Sequence, residues 1–162
     1  MAPRAENGAI NTARPVAIIA MIILAGSLSL FWYNASGLYT NQRTGHWMIR
    51  YPGIFSMLFL FVLFTGQHDL VMNISGATGI LALCSILVIL YKKRCYGLVW
   101  LGIACILLCV INNYSYYGNH FMYYLPVIQK ISFGFFLLWF ALVTLYIGKT
   151  GIKRPIPKNA AL

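Results

Sequence analysis

Side chains able to do chemistry are scarce in this chain. Its 162 residues include two acidic residues and three histidines. One of each stands side by side, His68 and Asp69, in the stretch TGQHDLVMNISG at 65–76. A carboxylate beside an imidazole can hold one tautomer and raise its basicity, which suits a ligand or an acid/base pair. The same aspartate opens an apolar run, where its oxygen could instead cap a helix by accepting from free amides around Met72. Asn73 and Ser75 follow one turn later and can hydrogen-bond a neighbouring helix. A second polar stretch, NNYSYYGNHFMYY at 112–124, places Asn112, Asn113 and His120 among five tyrosines. It reads as an interfacial tyrosine belt with a polar turn, or as a platform for a headgroup or sugar. Lys130, after Gln129, is an ammonium just inside another apolar run. It can snorkel to the interface, pair with Asp69, or meet a substrate anion.

These residues do not make a metal or cofactor signature. Zinc would need His68, His120 and Asp69 to converge from two loops without ligand spacing. By this reading His46, His68 and His120 all lie in loops, so no pair of histidines faces across spans to hold a haem. Cys84, Cys95, Cys105 and Cys109 form no CxxC pair and read as reduced packing residues. No metal and no cofactor is expected. The sequons at Asn34, Asn73 and Asn113 all hug apolar runs.

The elements that must position these residues are membrane helices. The chain is 60% hydrophobic and 9% charged, against about 25% charged in soluble domains. Several apolar runs are long enough to cross a bilayer. We expect an all-α polytopic transmembrane bundle of about five spans, near 15–33, 52–67, 70–91, 96–112 and 125–147. The run at 52–67 is short, so it either begins as early as Trp47 or is re-entrant, leaving four full spans. Phe31, Trp32 and Tyr33 read as an interfacial belt closing the first span, and Gly76 and Gly79 as points of close helix approach. The aromatic runs FSMLFLF and FGFFLLWF read as lipid-facing or packing surface. Residues 1–14 form a polar tail, 15–147 the bundle, and 148–162 a basic tail.

Charge sets the orientation. Lys and Arg total twelve against two acidic residues, net +10. With five spans, nine of the twelve fall on the side of the C-terminus and two in the N-terminal tail. The positive-inside rule makes the C-terminus cytoplasmic and the N-terminus outside. The His68-Asp69 loop and the 112–124 loop then share the outer side. Basic residues at the ends of apolar runs suit anionic headgroups, and no basic stripe points to nucleic acid.

HDLVMNISG at 68–76 and LPVIQKISFGFFLLWFALVTL at 125–145 resemble the later spans of a family of small prokaryotic multi-span proteins of unknown function, over residues 65–147. That resemblance implies a helical membrane bundle and no particular activity.

The sequence favours a non-enzymatic, multi-pass protein of a prokaryotic inner or plasma membrane. Its expected role is that of a subunit or accessory protein of a larger complex, with lipids and other membrane subunits or further copies of itself as partners. Two alternatives remain open. One is a transporter or ligand-binding protein using His68, Asp69 and Lys130, with Asn73, Asn113 and His120 nearby. The other is a membrane enzyme acting on lipid.

Overall fold

The computed structural model describes residues 13–39, 42–59, 68–118 and 122–150, with the side chains of 13, 14, 68 and 69 outside that description. The described residues are helical, and no strand occurs among them. Helix α1 spans Ala13–Ala35 and runs into a 3₁₀ turn at Ser36–Leu38; α2 spans Arg43–Leu58. Helix α3 spans His68–Lys92, α4 Tyr96–Tyr117 and α5 Leu125–Lys149, the last entered through a 3₁₀ turn at Met122–Tyr124. Among the described residues, four stretches are long and apolar enough to cross a membrane: Pro15–Leu38, Leu70–Lys92, Tyr96–Tyr117 and Met122–Lys149. Such runs form helices because a helix bonds every backbone amide within its own segment, the condition that lipid imposes.

Polar side chains fit this apolar frame by bonding locally. The hydroxyls of Ser85 and Ser132 donate to the carbonyls of Leu81 and Ile128, four residues back. That of Ser56 donates to Gly53. Each of these serines is buried, and back-bonding of this kind removes the cost of an unpaired hydroxyl.

Successive helices run antiparallel. The Tyr39 hydroxyl, just before α2, donates to the carbonyl of Ser85 late in α3 at 3.2 Å. Ser75, early in α3, donates to the carbonyl of Ser56 late in α2 at 2.8 Å. In the second pair, the Trp139 indole on α5 donates to the carbonyl of Leu98 on α4 at 2.8 Å. Edge-on contacts of Phe31 with Phe140 (4.6 Å between ring centroids) and Trp139 (6.2 Å) bring α1 beside α5. The ends of α1, α3 and α5 therefore gather with the starts of α2 and α4. Arg43, Arg50, Lys92, Lys93, Arg94 and Lys149 lie toward that end, called the basic end below. The core concentrates there too, around Trp32, Ile49, Ile86, Leu90, Cys105, Trp139 and Val143.

The turn between α3 and α4 is a Schellman motif. Cys95 N–H donates to Leu90 O at 3.0 Å and Arg94 N–H to Tyr91 O at 2.9 Å. Arg94 takes φ 58°, the left-handed position that glycine fills most easily.

Several expectations are corrected. Phe31 and Trp32 are core residues rather than a belt, and of that triplet Tyr33 alone is exposed. Close approach occurs at other glycines than those expected. A Cβ on Gly53 would collide with the Trp32 ring, and one on Gly102 would meet Leu87 at 2.5 Å and Trp139 Nε1 at 2.8 Å. Gly79 makes only ordinary contact with Ser56, and nothing lies near Gly76. Helix α2 starts at Arg43, so Pro52 sits inside it rather than at its head. Residues 60–67 of the second expected run lie outside the described residues. The fourth run continues past Asn112 to Tyr117, because no helix breaker stands between Asn112 and Gly118.

Candidate functional site

Two polar regions stand at opposite ends of the bundle. At the end away from the basic residues, α3 begins at His68. Asp69 therefore falls inside its first turn, not at the position before the helix where a cap belongs. The side chains of His68 and Asp69 lie outside the described ones, as does His120 altogether. Asn73 and Tyr117 are brought together: the Asn73 amide donates to the Tyr117 hydroxyl at 2.8 Å, tying the start of α3 to the end of α4. Asn113 is exposed on the last turns of α4, and the Oδ1 of its neighbour Asn112 is buried without a hydrogen-bond donor. Lys130 is exposed in the second turn of α5. Tyr117, Tyr123 and Tyr124 are exposed around this rim, the disposition of an interfacial tyrosine belt.

The second region, at the basic end, was not singled out by sequence reasoning. His46 lies in the first turn of α2 rather than in a loop. The Ser36 hydroxyl donates to Tyr33 O at 2.7 Å, so its oxygen is left to accept from His46 Nε2 at 3.1 Å. That arrangement selects the tautomer protonated on Nε2. Arg50 lies one turn further along the same helix. Arg50 itself rests over the Tyr33 ring, 4.0 Å from the centroid. Ser36 and His46 thus clamp the end of α1 to the start of α2. One signal could have found this site: His46 and Arg50 are four apart, which places both on one helix face.

The outward face of α2 carries a shallow groove of about 490 Å³, lined by Arg43, Thr44, Trp47, Met48, Tyr51 and Pro52. The Arg43 guanidinium lies over the Trp47 ring at 5.4 Å.

Among the described residues no three His, Cys, Asp or Glu side chains come together as a metal site. The four cysteines are free, with Cys105 buried and Cys84 exposed.

No protein-family model matches this chain, and neither a curated protein nor a solved structure is significantly similar to it.

Proposed function

We propose that this chain is a small integral membrane protein with a non-enzymatic role, a subunit or accessory protein of a larger membrane complex. The observation that carries this reading is the first half of α1. Val16, Ile19, Ile22 and Ile23 are all exposed, while the second half of the helix holds buried Phe31, Trp32 and Ala35. Lipid alone can cover an apolar helix half. An apolar helix face of this length is also open to a partner helix, where packing and not hydrophobicity drives association. Exposed Phe133, Phe135, Leu137 and Leu138 on α5 extend the available apolar surface.

In this reading the second apolar run, to which α2 belongs, is a fifth span, and the basic end is cytoplasmic. The antiparallel packing of α2 between α1 and α3 supports the crossing. The gathering of Arg43, Lys92, Lys93, Arg94 and Lys149 at one end supports the orientation.

A photo-crosslinking residue placed at Ile19 or Ile23 tests the subunit reading in intact membranes. It should yield a discrete adduct with another polypeptide, while the same probe at Leu107, exposed on α4, should yield mainly lipid adducts. A chain that crosslinks only lipid from α1, and that purifies in mild detergent as a monodisperse monomer, contradicts it.

A further inference from the structure

We propose that the groove on α2 binds an anionic phospholipid, its phosphate on Arg43 and an acyl chain laid along Trp47, Met48, Tyr51 and Pro52. The proposal rests on the chain being embedded in a membrane. The order of side chains along the groove matches a lipid read from headgroup to tail. Arg43 and Thr44 supply a guanidinium and a hydroxyl in the first turn of α2. Trp47 and Tyr51 follow, about half exposed at 49% and 56%, with rings suited to the headgroup boundary. Met48 and Pro52 complete an apolar floor. From Arg43 to Pro52 the helix rises about 14 Å, so the groove runs from the interface into the hydrocarbon.

Charge selects the sign of the headgroup. The basic end brings together Arg43, Arg50, Lys92, Lys93, Arg94 and Lys149. Among the described residues the one acidic residue, Asp69, stands at the opposite end of α3. Of the two arginines on α2, Arg50 is engaged over Tyr33 on α1. Arg43 stacks on Trp47, a wall of the groove itself. Stacking on a ring occupies the guanidinium face and leaves its N–H edge for a phosphate, to which that fork is matched. Anionic lipids are held by the cytoplasmic leaflet, where the proposed orientation puts this end.

The test uses the full chain reconstituted in phosphatidylcholine vesicles carrying a graded fraction of brominated phosphatidylglycerol or brominated phosphatidylcholine. Bromine quenches tryptophan on contact. A Trp100→Phe background reports Trp47, because Trp32 and Trp139 are buried. A Trp47→Phe background reports Trp100, exposed on α4, as a general lipid contact. The expected result is that brominated phosphatidylglycerol quenches Trp47 at about fivefold lower mole fraction than brominated phosphatidylcholine, the gain one basic residue gives near an anionic lipid. Arg43→Gln should bring the two curves together. The double substitution Lys92→Gln with Lys93→Gln should leave them apart, and Trp100 should respond to both lipids nearly alike. Equal quenching of Trp47 by the two lipids, or a preference that survives Arg43→Gln, overturns the proposal. Quenching of Trp100 without Trp47 also overturns it, and assigns the groove to a protein partner. If neither tryptophan is quenched, the membrane-embedded reading falls with it.

Discussion

His46 ties two helices through a hydrogen bond to Ser36. His46→Gln keeps a donor for Ser36, whereas His46→Ala removes it and should cost about 1 kcal/mol. Thermal midpoints of wild type and both variants in detergent check this, and equal midpoints for the Gln and Ala variants would remove the His46 hydrogen bond from the account. At the same scale, Arg94 sits at φ 58°, a conformation costing a non-glycine residue about 1 kcal/mol or more. Arg94→Gly should therefore raise stability by up to about 1 kcal/mol. A loss would show that the arginine side chain contributes more than its backbone conformation costs.

At the scale of elements, α1 meets α2 where Gly53 lies under Trp32, and α4 meets α5 where Gly102 lies against Trp139. Gly53→Ala and Gly102→Ala should each cost about 1–3 kcal/mol, the usual range for overpacking. Gly76→Ala, with open space around it, should be close to neutral. Thermal midpoints of the three variants, measured side by side, check this, and a neutral Gly53→Ala would contradict the packing described. These glycines also show what the sequence could reveal. The long apolar runs announced α1, α3, α4 and α5, because length and hydropathy alone mark a span. The partner of each glycine was not legible, since which face of an all-apolar helix turns inward is set by its neighbours. For the same reason Phe31 and Trp32 looked like an interfacial belt and proved to be core. Helix α2 begins at Arg43, earlier than either expected start, and the polar residues of its first turns hide that start from hydropathy. Of the candidate site residues, Asn73 was legible as a helix-joining amide, and its bond to Tyr117 fits that expectation. The Ser36–His46 clamp was not, because it depends on the 3₁₀ turn that folds α1 back onto α2.

At the scale of the whole molecule, the chain is a set of alternating helices with one basic end, a core near that end, and apolar faces turned outward. The claim that organises everything else is that α2 crosses the membrane with the basic end inside. It places the lipid groove in the cytoplasmic leaflet and Asn73, Tyr117 and Lys130 at the outer surface. Cysteine accessibility tests it most directly, in a chain whose four native cysteines are replaced. Gln42→Cys, just before α2, Gly66→Cys, between α2 and α3, and Gly118→Cys, at the end of α4, are labelled in intact cells with a membrane-impermeant maleimide. The account predicts that positions 66 and 118 react while position 42 is protected until the membrane is opened. Reaction of 42 and 66 from the same side would contradict it, because α2 would then not cross.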